Sequence, residues 1–218
     1  PICWVLYWND IEKSAGNFDY SRTDAAVNAD TANGFKVLGI LMGTPDWATD
    51  NATTQAAAGS DRATLASLPT PRVGQKAWDQ TTRLQAERVQ NASPATFAPK
   101  GLAQPVFADN TDTPGAGKAI NDNNAWARYV QRTVDRYKGK VQAWEIWNEP
   151  DFKPVESTAY FGFWSGTVAE YARLLKTAYL VIRATDPSAT VVIGGMAYWF
   201  QQDFFPRLLT AIRQDPQA

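Results

Sequence analysis

Apolar residues along the chain follow two alternating patterns, which are short uninterrupted runs and longer stretches with helical spacing. The runs are rich in β-branched and aromatic residues, which is typical of buried strands. Four strands are predicted, at 2–8, 35–42, 141–147 and 190–194. The stretches after the strands repeat apolar residues every three to four positions and predict helices. The helices are predicted to start at Ser21 or Asp24, at Asn123 or Asn124, at Ser165 and at Asp203. This alternation predicts an α/β fold with a parallel sheet covered by helices.

The segment 48–122 differs in kind from the rest of the chain. It is polar and rich in Ala, Thr, Pro, Asn and Asp, with one short helix predicted around 81–89. We interpret it as a long loop insertion in a single domain that spans residues 1–218. A loop of this length is typical of a lid or a binding loop. A passive insertion is the alternative.

Doubly wound sheets and (β/α)₈ barrels both show such an alternation of strands and helices. The first predicted strand is not followed by the glycine-rich loop that nucleotide-binding doubly wound domains place there. Polar residues suited to chemistry follow the third strand, and barrels carry their chemistry at the carboxyl ends of strands. The pattern therefore favours a TIM barrel, of which this chain shows a part.

The third predicted strand ends in Asn148-Glu149-Pro150. Pro150 cannot continue a central strand, so Asn148 and Glu149 lie at the carboxyl end of that strand. A carboxylate that is partly desolvated among indole rings has a raised pKa and suits general acid catalysis near neutral pH. A structural glutamate at a strand end is the alternative interpretation.

Composition narrows the chemistry. The 218 residues have a formal net charge of −1 and contain no histidine. Ser-His-Asp and Cys-His catalysis within this chain are therefore excluded, a catalytic zinc site is disfavoured, and acid–base work falls to carboxylates. We predict no metal and no cofactor. The net charge close to zero gives no sign of a basic surface that would bind nucleic acid or an anionic membrane. No apolar run reaches transmembrane length.

Aromatic residues make up 12% of the chain, and nine of them are tryptophan. Indole faces stack on the apolar faces of sugar rings, although a large core also uses such residues. Trp8, Trp47 and Trp199 lie at the carboxyl ends of predicted strands and are predicted to bind substrate. Trp147 and Tyr198 complete this set of candidates.

Two further carboxylates lie near Glu149 in the sequence. Glu145 shares a strand face with Glu149 because side chains alternate with a period of two. We predict that Glu145 is a buried structural carboxylate paired with an arginine, and an interaction with Glu149 is the alternative. Asp151 follows the turn and is predicted to cap a helix or a loop.

Several segments carry a resemblance to a known group of enzymes. They are 8–12 with 16–20, 36–41 with 44–48, 137–141, 144–151 and 164–168. In these segments the chain resembles the glycoside hydrolases of clan A, and most of all family 39, the β-xylosidase-like enzymes. The resemblance touches nearly every predicted core element outside the 48–122 insertion, and its Asn-Glu-Pro element is specific to the clan.

The resemblance implies a retaining O-glycoside hydrolase that cleaves β-linked glycosides of xyloside or exopolysaccharide type. Glu149 matches the acid/base of the family, and Asn148 matches the residue that hydrogen-bonds the sugar hydroxyl next to the reacting carbon. The visible strands would be the second to fifth of the barrel. The implied partners are oligosaccharide or polysaccharide substrates, and the implied location is secreted or extracellular.

The chain departs from the family pattern in two ways. No residue matches the family's nucleophile, a glutamate at the end of the seventh strand, and Cys3 stands where the family carries an arginine. Retaining hydrolysis needs two carboxyl groups about 5–5.5 Å apart. We therefore expect that a longer protein or a second chain completes the barrel. The alternative function is a non-catalytic carbohydrate-binding or structural barrel that lacks the nucleophile.

Overall fold

Strands and helices alternate along the chain, in the order that the sequence pattern predicts. The computed structural model describes residues 2–49, 96–152, 163–198 and 201–215. The strands are β1 (Ile2–Tyr7), β2 (Val37–Met42), β3 (Val141–Ile146) and β4 (Thr190–Ile193). The helices are α1 (Trp8–Ile11), α2 (Ser21–Ala32), α3 (Ala125–Arg136), α4 (Val168–Thr185) and α5 (Phe204–Gln214), and a short 3₁₀ helix covers Asp46–Ala48.

Several of the predicted boundaries are wrong: β2 starts at Val37 and not at 35, and β1, β3 and β4 each end one residue earlier than predicted. The first strand ends at Tyr7, and Trp8 opens a single helical turn instead of completing the strand. Helix α4 is capped by Thr167 and not by Ser165, because Thr167 and Glu170 form a reciprocal capping box. The helix predicted around 81–89 lies outside the described residues.

The four strands form one parallel sheet in the order β1-β2-β3-β4. The predicted α/β class with a parallel sheet is therefore confirmed. Strands that follow one another in the chain are also neighbours in the sheet, and this is the strand order of (β/α)₈ barrels. A doubly wound sheet would reverse its strand order at a switch point, and the four described strands show no such reversal.

The helices cover one face of this sheet. Helix α2 contacts β1 and β2, α4 contacts β3 and β4, and α4 also contacts α3 and α5. The opposite face is less covered, since Cys3, Tyr7 and Val192 are all exposed. None of the described helices combines the length and the apolar character needed to cross a bilayer.

A tryptophan fixes the spacing on the helix-covered face. The Trp144 ring lies over Gly39, its neighbour on the adjacent strand, so that a Cβ added to Gly39 would lie 2.6 Å from the ring. Only glycine leaves room for this packing. Closer to the start of the strands, a β-bulge lies opposite Val37, and the side-chain oxygen of Gln142 accepts the Val37 amide at 3.1 Å.

Candidate active site

The carboxyl ends of the four strands lie along one edge of the sheet and are joined by backbone hydrogen bonds. The Asn9 amide donates to the Gly43 carbonyl at 3.0 Å, which joins the chain after β1 to the chain after β2. The Trp147 amide donates to Leu41 at 2.9 Å, and the Glu149 amide donates to Gly195 at 2.8 Å. The predicted catalytic residue therefore lies in a continuous edge, in contact with the chain after β4.

The turn after β3 has an unusual backbone. Four described residues other than glycine have a positive φ, and three of them are Trp147 (69°), Glu149 (46°) and Tyr198 (60°). Each such residue costs about 1–3 kcal/mol and persists only where its surroundings hold it. Strain of this kind clusters at functional sites, and here it clusters at the ends of β3 and β4. The sequence gives no direct sign of it.

Glu149 has the environment of a proton donor. Its side chain is partly buried, and no cation among the described residues lies within salt-bridge distance. Desolvation raises the pKa of Glu149 above that of an ordinary glutamate, and the negative charge of Asp151 raises it further. A carboxyl group in these surroundings holds its proton to higher pH.

Asn148 lies partly exposed beside Glu149. Its Oδ1 atom would lie 4.0 Å from a Cβ placed on Gly195, and an oxygen of Glu145 would lie 3.5 Å from the same point. Because Gly195 has no side chain, it leaves the space beside Asn148 and Glu145 open. The amide side chain of Asn148 lies at the border of this space and has free hydrogen-bonding capacity of the kind that an amide offers.

The two neighbouring carboxylates bind backbone amides. Glu145 accepts the Gly195 amide at 2.8 Å, and no described arginine pairs with it, so its predicted ion pair is not found among these residues. Asp151 accepts the amides of Ala197 and Tyr198 at 2.8 and 2.6 Å. Asp151 thus binds amides of a distant loop, and not those of the turn that it follows, where it was predicted to form a cap.

A belt of aromatic rings lies behind this edge. Neighbouring rings have centroids 5.0 to 6.4 Å apart. The belt consists of Trp47, Trp8, Trp126, Trp147, Trp164, Tyr171 and Phe204. Most of its members are fully buried, so much of the tryptophan content serves the core.

The belt changes the interpretation of the predicted sugar-binding residues. Trp8 and Trp147 have 0% exposure, so neither ring offers a face to a ligand. The structure therefore gives no support to their predicted role in substrate binding. Trp47 is partly exposed, and its Nε1 donates to the Glu12 carbonyl at 2.8 Å. Tyr198 is 53% exposed. Trp199 lies outside the described residues.

Sequence reasoning missed two residues that organise this edge. The buried Tyr171 hydroxyl donates to the Ile146 carbonyl and accepts the Gly194 amide, each at 2.9 Å, and so joins the ends of β3 and β4. Burial raises the pKa of Tyr171, which keeps the hydroxyl protonated. Glu12, fully buried, accepts from the Trp8 indole at 2.6 Å and from the Gly16 amide at 2.7 Å. The available signal for Tyr171 is a tyrosine on an apolar helix face, and the signal for Glu12 is a glutamate shortly after the first strand and near Trp8.

Among the described residues, this edge shows no arrangement of side chains suited to a metal ion. No group of three or more His, Cys, Asp or Glu side chains in the described ranges is placed to hold a metal ion. The polar side chains at this edge are carboxylates, an amide and a tyrosine. Such groups suit proton transfer and hydrogen bonding to hydroxyl groups.

The chain was compared with protein families, curated proteins and solved structures. No family model matches it, and no curated protein matches it. It is similar in structure to a family 39 glycoside hydrolase from the gut symbiont Bacteroides cellulosilyticus WH2, with 17% identity, a TM-score of 0.42 and 88% of this chain covered. It is also similar to a GH10 xylanase that contains a bacterial Ig-like domain, from termite gut, with 15% identity, a TM-score of 0.41 and 94% of this chain covered.

This chain spans only part of those two proteins, matching 25% of the first and 33% of the second. We rest no functional argument on matches with TM-scores of this size.

Proposed function

We propose that this chain is part of a retaining glycoside hydrolase that acts on β-linked glycosides, with Glu149 as general acid and base. One observation carries the proposal. Glu149 is a partly desolvated carboxylate at the carboxyl edge of a parallel sheet, with a raised pKa and no described cation beside it. Parallel α/β folds use this edge for catalysis, and a carboxyl group with a raised pKa suits proton donation near neutral pH.

The proposed reaction has two steps. In the first, the Glu149 carboxyl gives its proton to the glycosidic oxygen while a carboxylate nucleophile forms a bond to the anomeric carbon, and the bond to the leaving oxygen breaks. In the second, the Glu149 carboxylate takes a proton from water, whose oxygen attacks the anomeric carbon and releases the nucleophile. Asn148 is proposed to hydrogen-bond the sugar hydroxyl next to that carbon.

The nucleophile must be a further carboxylate. Asp151 acts electrostatically on Glu149, and Glu145 lies four residues before it in the chain, but both carboxylates accept hydrogen bonds from backbone amides that hold them in place. The proposal therefore requires an attacking carboxylate other than these two.

The proposed substrates are xylosides or exopolysaccharides, with an extracellular location for the protein. Support comes from the partly exposed Trp47 and the exposed Tyr198, whose rings can stack on sugar faces. Trp199 remains a predicted member of the same surface. The amide of Asn148 supplies a polar contact of the kind that orients hydroxyl groups.

The test replaces Glu149 by glutamine in the full-length protein and measures turnover of aryl β-glycosides. For a poor leaving group, which needs protonation, we expect kcat to fall about a thousandfold. A good leaving group needs little protonation, so its loss should be far smaller. Glu170→Gln is the matched control, because glutamine can replace glutamate in the capping box of α4. Unchanged turnover of the poor leaving group would exclude Glu149 as the acid.

A second candidate function is carbohydrate binding without catalysis. It is favoured because Glu145 and Asp151, the described carboxylates nearest to Glu149 in the sequence, both accept hydrogen bonds from backbone amides. Calorimetry with β-linked oligosaccharides and product analysis of the unaltered full-length protein separate the two functions. Binding without any cleavage supports the second candidate.

A further inference from the structure

The segment after β4 is held against the turn after β3 by a row of hydrogen bonds. The Gly195 carbonyl accepts the Glu149 amide, and the Gly195 amide donates to Glu145. Two residues later, the amides of Ala197 and Tyr198 both donate to the carboxylate of Asp151. The row therefore ends with the hydrogen bond from Tyr198 to Asp151, and Asp151 lies two positions after the proposed proton donor Glu149.

The burial of the Asp151 carboxylate costs desolvation free energy. Its exposure is 0%, and no described cation lies within salt-bridge distance of it. A buried carboxylate without a cation is tolerated only where hydrogen-bond donors compensate for the lost water. The two amides, at 2.8 and 2.6 Å, each bind a different oxygen of the carboxylate. Hydrogen bonds to a charged group of this kind are about twice as strong as neutral ones.

Tyr198 needs such an anchor. Its φ of 60° lies in the left-handed region, which a residue with a Cβ enters only at a cost. Its side chain is also 53% exposed, so core packing does not hold it in place. The hydrogen bond from its amide to the Asp151 carboxylate is therefore a direct restraint on the backbone that carries the ring.

We propose that Asp151 is a positioning residue of the site, whose carboxylate fixes the Ala197–Tyr198 segment so that the Tyr198 ring forms a substrate-binding wall beside Glu149. This inference rests on the proposed function and adds to it how the sugar is held. Asp151 acts through Tyr198 and touches no substrate itself.

The plainer alternative is that Asp151 only closes a loop. The chain contains a matched case in Asp186, which is also buried and accepts the Ser188 amide at 3.2 Å and the Ser188 hydroxyl at 2.6 Å. Asp186 precedes β4 and so lies at the amino edge of the sheet, away from Glu149. Asp186→Asn therefore controls for the loss of a buried, loop-closing aspartate.

The first experiment compares Asp151→Asn with Asp186→Asn in the full-length protein, with aryl β-glycosides and at the pH optimum of each variant. Asp151→Asn should raise KM about tenfold and change kcat less than about threefold, since one charge-assisted hydrogen bond is lost. Asp186→Asn should leave KM unchanged. Tyr198→Ala should also raise KM, and the double variant Asp151→Asn/Tyr198→Ala should raise it no further. Additive effects, or an unchanged KM in Asp151→Asn, would overturn the proposal.

The second experiment does not depend on activity. In the unaltered protein, nuclear magnetic resonance should show that the amides of Ala197 and Tyr198 exchange at least about tenfold more slowly than in an unfolded chain. Asp151→Asn should remove that protection, whereas Asp186→Asn should not. Unprotected amides in the unaltered protein overturn the positioning role even if the variant fails to fold. Protected amides in a protein that cleaves no glycoside would reject the proposed function and retain the anchor.

Discussion

The two halves of the sheet edge use carboxylates in opposite ways. At the end of β1 and β2, which we call the aromatic end, Glu12 lies with Trp8 and Trp47. At the end of β3 and β4, the acidic end, Glu149 lies with Glu145 and Asp151. Glu12 is fully buried, and the Trp8 indole, the Gly16 amide and Arg128 (3.4 Å) all donate to it. Glu149 is partly exposed, lies near Asp151 and has no described cation beside it.

The difference shows that residue type alone does not distinguish a structural carboxylate from the one proposed to act in catalysis. Both glutamates follow a strand and lie near tryptophan, and in the sequence this is the pattern that suggests a catalytic carboxylate. The Arg128 cation and the two hydrogen-bond donors around the buried Glu12 hold its carboxylate in place, which suits a structural role. The surroundings of Glu149 bring its two protonation states closer in free energy near neutral pH, and catalysis by proton transfer needs that balance.

The largest expected effect comes from disturbing the aromatic end. Glu12→Gln removes the charge that faces Arg128 and turns an amide group toward a donor, so the free energy of unfolding should fall by about 3 kcal/mol. Urea denaturation followed by tryptophan fluorescence measures it, with Glu170→Gln as the exposed control. The folded variant should keep its kcat. A protein of unchanged stability that has lost its activity would place Glu12 in the chemistry and remove the contrast.

A smaller effect is expected at the junction of β3 and β4. Tyr171→Phe leaves the Ile146 carbonyl and the Gly194 amide without their shared hydroxyl, which should cost about 1–2 kcal/mol. Tyr179→Phe, on an exposed tyrosine of the same helix, is the control and should cost almost nothing. Amide exchange at Gly194 should speed up only in Tyr171→Phe. Equal exchange in the two variants would contradict the junction role.

The smallest effect is a shift in the pH profile. A general acid works while protonated, so activity is lost as pH rises through its pKa. The pKa of Glu149 is raised by desolvation and then by Asp151, so Asp151→Asn should move the alkaline limb of kcat/KM to lower pH. The variant leaves in place the other titratable residues of this network, which are Glu145 on β3 and Tyr171 on α4. A shift to higher pH, or none, would show that the charge of Asp151 does not act on Glu149.

Much of the fold could be predicted because its signals are local. Uninterrupted apolar runs gave the strands, and Pro150 placed Asn148 and Glu149 directly after β3. The second strand begins at Val37 and not at Phe35, which is half exposed and lies in the turn before the strand. The start of α4 was predicted wrongly although its signal was present, since Glu170 follows Thr167 by three positions and completes a capping box.

The parts of the site that could not be predicted depend on contacts between distant residues. The bonds from Asp151 to Ala197 and Tyr198 cross 46 and 47 positions of the chain. The burial of Trp8 and Trp147 depends on rings from α3 and on Trp164, before α4, and no local pattern shows this. A run of apolar residues shows that a strand is buried, but it does not show which tryptophan keeps a free face.

The sequential order of the strands has a consequence for folding. The chain between β2 and β3 is the longest of the three connections, while β1 with β2 and β3 with β4 are joined by shorter ones. Closing a longer loop costs more entropy, although the cost grows slowly with length. We therefore expect two β-α-β halves to form first and to join through the pairing of β2 with β3. On that route the aromatic and acidic ends are separate substructures until the joining step, so the edge that carries Glu149 is completed late in folding.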